Sequence, residues 1–443
     1  MKRKNLLQLF IPIFFETLFY MLAGIIDTLM VSSVGDQAVG AIGTANTYIS
    51  VFVIMYAIVS NGMMAVMTQN IGAGREGVAY QARNLGLIFN AAFGILLSSA
   101  LYFGASLILG SIGVSEQLYD YALTYLRIVG GCSFLNAIIP IMSGYLRAFG
   151  HTRQSLFAAI TGNVVNLGLN ALFLYVMDWG VAGVALATVI SRAANLLMVT
   201  IFAAILIKAK RDPSREKPLK LFGQIVKVGL PAAMETVAYN LSMTLVIKFL
   251  NQMDTAGFYV TARSYTAQIA NFSYCVGAAL AQANSIMTGW RVGAGEFDAV
   301  KRGTRKAALI GIGIAVSMAT ILCLASPVIM KLFTDDPLMV STVRTLLFID
   351  IFLEIGRVSN LVYVQTLKVS GDAIFPAVSG IIFMMICQVA GTYLLGIRLG
   401  LLVVGAYTAL AMDEMVRAVI YFFRFKSGRW MSKRLVDTKP VEG

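Results

Sequence analysis

A single carboxylate, Asp27, interrupts the apolar run FYMLAGIIDTLMVSSVG at residues 19–35. A carboxyl group set in hydrocarbon can take up a proton or a cation and release it elsewhere, the chemistry of an ion pathway. The competing reading is structural, a carboxylate hydrogen-bonded between two helices. Other ionisable residues also fall in apolar stretches: Glu16, Glu235, the set Asp350, Glu354 and Arg357, and the pair Asp413 and Arg417. Glu354 and Arg357 stand i,i+3, and Asp413 and Arg417 i,i+4, so each pair shares a helix face. Such pairs suit helix packing at least as well as substrate contact. No phosphate-binding loop of the form G-x-x-x-x-G-K-[ST], no H-E-x-x-H and no G-x-S-x-G occurs. His151 is the sole histidine, and Cys132, Cys275, Cys323 and Cys387 stand singly in apolar stretches. The expectation is a protein that is not an enzyme, holds no metal, and needs no cofactor beyond a coupling ion, H+ or Na+.

The elements that carry these residues follow from composition. Of 443 residues, 58% are hydrophobic and 13% charged, with a mean hydropathy of +0.77. Globular domains carry about 25% charged residues, so this chain cannot cover an ordinary water-facing surface. Apolar runs long enough to cross a bilayer core of about 30 Å recur along it. Twelve spans are predicted, at 6–32, 38–69, 82–111, 119–149, 153–177, 179–208, 224–252, 255–289, 303–333, 338–369, 373–396 and 399–424. Their length and Leu/Ile/Ala/Gly content fit helices, giving an all-α polytopic membrane protein. The first span is too long for a cleaved signal and is read as retained.

Charge orients the spans. Lys2, Arg3 and Lys4 precede the first, Arg75 and Arg83 follow the second, and Lys208 to Lys220 fill the sixth connection. Alternate connections carry Asp36, Glu116, Asp178, Asp254, Asp335 and Asp336. This bias predicts a multi-pass protein of the plasma (inner) membrane with both termini cytoplasmic. Basic residues scattered over one set of loops do not suit nucleic-acid binding.

The chain repeats itself. PIFFETLFYML and PAAMETVAYNL share Pro, Glu, Thr, Tyr and Leu, from Pro12, Glu16 and Tyr20 to Pro231, Glu235 and Tyr239. IGAGREG matches RVGAGEF, and LRAFG matches LKVSGD. Pro12 to Pro231, Gly72 to Gly293 and Gly150 to Gly371 are separated by 219, 221 and 221 residues. Two parallel six-helix repeats are therefore expected: an N-lobe at 1–207, a charged cytoplasmic linker at 208–221 and a C-lobe at 222–443.

With DTLMVSSVG, the two G-A-G loops, LRAFG, LKVSGD, NVVNLGLNALF and GVAGVALAT, the chain resembles the MATE (multidrug and toxic compound extrusion) transporters along nearly its whole length. The resemblance implies two lobes in a V around a central cavity, a small-molecule, typically organic-cation, substrate in the lipid bilayer, and a monomer. It implies an antiporter that exports amphipathic cations, drugs or metabolites by alternating access in exchange for a cation. It also places Asp27 in a cation-coupling site with Asn166, Asn170 and Thr188; Pro12, which removes a backbone hydrogen bond near the start of the same span, is read as its hinge. Position 170 is Asn where many members carry Asp, so one carboxylate remains, which favours a proton over sodium. Glu16, Tyr20, Glu235, Tyr239, Asp350, Glu354 and Arg357 are the further polar candidates in the cavity or second lobe. A lipid-linked saccharide flippase of the same superfamily is the alternative, with Arg127, Arg192, Lys248, Arg263 and Arg357 as its few intramembrane cations.

Overall fold

In hydrocarbon a backbone must satisfy its own hydrogen bonds, which leaves helices as the form these apolar runs can take. The computed structural model describes residues 4–112, 115–254 and 256–436, and among them there is no strand. The helices are α1 (Leu6–Ser32), α2 (Asp36–Gly72), α3 (Glu76–Ile112), α4 (Glu116–Tyr125), α5 (Phe134–Ala148), α6 (Thr152–Ala171) and α7 (Gly180–Leu206). They continue as α8 (Pro218–Met253), α9 (Phe258–Gly293), α10 (Phe297–Met330), α11 (Pro337–Val369), α12 (Ile374–Phe383) and α13 (Leu402–Lys426). Lys2 and Arg3, used in the charge argument, lie outside the described residues, as do the final residues 437–443.

The thirteen helices make twelve spans. α4 and α5 form the fourth, through a π-helical turn at Leu126–Gly130 and a bend of 43°. π-Helical turns also extend α6 to Val176 and α12 to Arg398. By length and apolarity alone seven segments qualify as spans, eight with the bent pair. The remaining four, α8, α9, α11 and α13, fall short because charged and polar side chains interrupt their apolar runs.

Local signals set the helix ends. Asn5 and Gln8 cap α1 reciprocally, each side chain accepting from the other's backbone N–H at 3.1 and 2.9 Å. Asp336 accepts from Leu338 N at 2.9 Å to cap α11, with Pro337 in its first turn. The repeated G-A-G loops place Gly74 and Gly295 at φ of +76° and +77°, and LRAFG and LKVSGD place Gly150 and Gly371 at +80° and +97°. Only glycine adopts this left-handed turn without strain, which is why the motif glycines recur.

Two compact units result, one holding Lys4 and Ile11–Gly229, the other Asn5–Phe10 and the chain from Leu230 onward. In the first, Ala41, Ala45, Leu101, Ala105, Tyr125, Val184 and Ala185 form a core of small and large side chains from α2, α3, α4 and α7. In the second, α11 packs against α9, α10 and α13 around Val246, Ile269, Leu346, Leu353 and Tyr407.

The linker is bound rather than merely solvated. Asp212 accepts from Gly77 N at 2.6 Å and so caps α3 from outside its own sequence. Glu216 meets Arg75 at 3.2 Å, and Gln81 exchanges two hydrogen bonds with the Glu216 backbone. The second unit has a counterpart. After α13 the tail turns at Gly428, and Trp430 stacks on Phe425 and meets Phe297, at the start of α10, edge-on. Trp430 is fully buried, and its Nε1 donates to Phe425 O at 2.9 Å.

The backbone N–H of Ser214, with that of Gly77, holds the Asp212 carboxyl below the usual carboxylate range. This group therefore stabilises the clasp fully above its unfolded pKa of about 3.9, and the contribution is lost as pH falls from there through the depressed folded value. Asp212→Ala should cost about 1 kcal/mol, a typical cap, and speed hydrogen exchange in the first turn of α3. At neutral pH the variant exchanges faster than wild type there, and the difference shrinks as pH falls through the depressed folded value. Equal exchange at neutral pH would refute the clasp.

Candidate functional site

Three positions on α1, Glu16, Tyr20 and Asp27, fall on one helix face at i, i+4 and i+11. Each meets a different partner in the first unit. Glu16 is buried, accepts from Ser155 Oγ at 3.1 Å and lies 4.0 Å from Arg147. The Tyr20 hydroxyl accepts from Asn195 Nδ2 of α7 at 3.2 Å. Asp27 accepts from Asn170 Nδ2 of α6 at 2.5 Å, and the same amide donates to Asn166 Oδ1 at 3.3 Å. One helical turn between Asn166 and Asn170 brings both to α1.

Beside this cluster α1 and α6 enclose a cavity of about 220 Å³, lined by Asp27, Asn163, Asn166 and Asn170 and otherwise by apolar side chains such as Phe19, Ile26 and Leu167. Asn170 is fully buried, and its Oδ1 has no hydrogen-bond partner among the described residues. A bare buried carbonyl beside a carboxylate is an open acceptor for a proton carrier or a cation.

Thr188 stands apart from this group. Its Oγ1 donates to Val184 O within α7 at 2.9 Å, and its side-chain neighbour is Tyr125, which also meets Asn46. The residue that α7 contributes instead is Arg192, one turn beyond Thr188. Its Nη1 is buried without a hydrogen-bond partner among the described residues, and its charge acts on Asp27, Tyr20 and Tyr125. Sequence reading placed Arg192 only among the cations of the alternative function. The spacing Thr188, Arg192, Asn195 on one face was the available signal.

The second unit pairs its charges closely. Glu235, the repeat partner of Glu16, meets Lys368 at 2.6 Å, and Lys368 is the repeat partner of Arg147. Arg357 lies 2.5 Å from Glu354 and 3.8 Å from Asp350, while Ser273 and Tyr407 donate to those carboxylates at 3.2 and 3.0 Å. Arg417 holds Asp413 at 2.6 Å and Glu414 at 3.0 Å, and Asn360 donates to Glu414 at 2.6 Å. Tyr239 lines a cavity with Glu235, Arg357 and Lys368. The structure thus brings Glu235, Tyr239, Asp350, Glu354 and Arg357 into one neighbourhood and Asp27, Asn166 and Asn170 into another. Lys248, which stands where a repeat of Asp27 would fall, is exposed.

The family model MatE matches residues 12–172 and 231–394, once in each half of the chain. The chain belongs to the MatE family. An uncharacterized transporter of Bacillus subtilis, YisQ, is 30% identical over 443 residues, covering 98% of this chain and 96% of its own. A probable multidrug resistance protein NorM of Thermotoga maritima is 24% identical over 99% of this chain and 96% of its own. The solved outward-facing conformation of a multidrug resistance MATE family transporter superposes with a TM-score of 0.86 at 19% identity, over 98% of this chain and 96% of that one. This MatE chain is accordingly a multi-pass membrane transporter with the twelve-helix, two-lobe fold.

Pro12 lies inside α1 and Pro231 inside α8. Neither ring nitrogen can donate to the carbonyl four residues earlier, so each helix has a weak point there. Only α1 carries a carboxylate further along that is held by neutral amides. Pro12→Ala is expected to slow efflux several-fold more than Pro231→Ala, with rates normalised to protein in the membrane. Equal losses would mean that the two prolines serve alike, and a larger loss at Pro231 would place the moving element in α8.

Proposed function

We propose that this MatE transporter is a proton-coupled antiporter that exports amphipathic organic cations, drugs or metabolites, from the cytoplasm by alternating access. The observation that carries the reading is Asp27, held by the Asn170 amide beside a bare Asn170 carbonyl in a small cavity. A carboxylate that accepts one amide N–H is held firmly while charged. Once protonated it becomes a donor, and the neighbouring carbonyl is an acceptor within the same cluster. Gain and loss of one proton therefore change which hydrogen bonds α1 makes with α6, and Pro12 lets α1 respond.

Sodium is the weaker candidate for the coupling ion. It would need several oxygens at once, and here one carboxylate stands with the bare Asn170 carbonyl, while Asn166 Oδ1 already accepts from Asn170 and the Thr188 hydroxyl is engaged by its own helix. Arg192 adds a resident positive charge acting on Asp27, which opposes a second cation but not a proton that neutralises the carboxyl.

Two measurements in proteoliposomes test this. Asp27→Asn keeps size and hydrogen bonding but cannot release a proton, so dye efflux driven by an imposed pH gradient should fall to background, at least about a hundredfold or 2.7 kcal/mol. Wild-type rate in a variant present at normal level in the membrane sinks the coupling role. Arg192→Gln removes the resident charge and should allow a sodium gradient to drive efflux that the wild type does not support. An unchanged ion preference would remove Arg192 from the selectivity argument.

A further inference from the structure

The second unit holds a cavity of about 480 Å³, within the range of about 300–1,000 Å³ typical of small-molecule sites. Six charged side chains line it: Glu235, Glu414, Arg263, Arg357, Lys368 and Arg417. Both lining carboxylates are already neutralised. Glu235 is taken by Lys368 at 2.6 Å, and Glu414 by Arg417 at 3.0 Å and Asn360 at 2.6 Å. Arg357 and Arg417 are likewise occupied, by Asp350 with Glu354 and by Asp413 with Glu414.

Arg263 differs from all of these. It has no carboxylate partner among the described residues, and its Nη2 donates to Met243 Sδ at 2.9 Å. A thioether is a weak acceptor, and this one also receives Gln388 Nε2 at 3.4 Å. A guanidinium offers five N–H donors in a planar fork matched to a carboxylate or phosphate edge. Most of that fork has no strong acceptor. Tyr239 and Tyr274 present 40% of their surfaces beside it in the same cavity, rings on which a flat apolar solute can lie.

We propose that this cavity binds an aromatic solute through an anionic group seated on Arg263, zwitterions included. A plain cation finds no free carboxylate there, whereas an anionic group supplies the charge-assisted hydrogen bonds that Arg263 lacks. The proposal rests on the transporter reading above and narrows its cargo from organic cations in general to those that also carry an anionic group. Arg263 is then the residue that selects them.

The test uses the purified full chain in detergent and one xanthene dye in two forms, the free carboxylic acid and its ethyl ester, titrated by fluorescence anisotropy. The acid should bind wild type about tenfold more tightly than the ester. Arg263→Gln should abolish that preference while leaving ester affinity as in wild type, which also shows that the variant is folded. Arg263→Lys should keep part of the preference, since charge remains but the fork is lost. An ester that binds as well as the acid, an acid that does not bind wild type, or a preference that survives in Arg263→Gln each overturns the assignment. Binding is read without any ion gradient, so its failure leaves the Asp27-dependent efflux standing. Loss of that coupling in turn leaves the dye preference intact.

Discussion

Charge removed from water costs several kcal/mol even after a protein has relaxed around it, and the cost is recovered only where a partner is held in good geometry. That cost orders the interior of this transporter. In the second unit the carboxylates on α11 and α13 sit one turn (Glu354, Asp413, Glu414) or two turns (Asp350) from an arginine of the same helix, so each arginine arrives with its counter-charges already placed. Asn360, Ser273 and Tyr407 then occupy further carboxylate oxygens. The first unit pairs Glu16 with Arg147 but leaves Asp27 and Arg192 without an ion pair between them. Asp27 is served by amides, and Arg192 acts on it from a distance without an ion pair. Cutting one partner from a closed pair strands the other, whereas Asp27 can change charge without breaking a salt bridge.

The two units share a frame and differ in what it holds. Glu16 with Arg147 and Glu235 with Lys368 are one interaction made twice, between the first and fourth spans of each repeat. Near the far end of the same helices the correspondence ends, since the repeat position of Asp27 is held by Lys248 in the other copy. A duplicated scaffold can thus keep one ion pair for packing while its two copies take separate tasks.

Much of this was legible because it is local. Helix lengths follow from runs of apolar residues, loop glycines from the backbone angles they must adopt, and the Glu354–Arg357 and Asp413–Arg417 pairs from their spacing on one helix. The repeat offsets match Glu16 to Glu235 and Arg147 to Lys368, but that Glu16 meets Arg147 and Glu235 meets Lys368 appears only in the fold. What the sequence withheld is long-range. Nothing near Thr188 says that its hydroxyl turns back to Val184 O while the positive charge acting on Asp27 comes from Arg192. Nothing near Arg263 says that it alone among the cavity cations lacks an acid, because the acids that pair its neighbours come from α8, α11 and α13. Position 170 was informative in both directions, as its amide reaches Asp27 while its carbonyl is left bare.

The linker and the C-terminal tail begin 220 residues apart, after Leu206 and Lys426, at the same place in their repeats. Both fold back over the first turn of the third span of their own unit, one through Asp212 on Gly77, the other through Trp430 on Phe297. Each half therefore consists of six spans and a trailing strap. The segment that leaves each half is thus anchored to that half, the linker through a carboxylate on a helix start and the tail through a stacked ring.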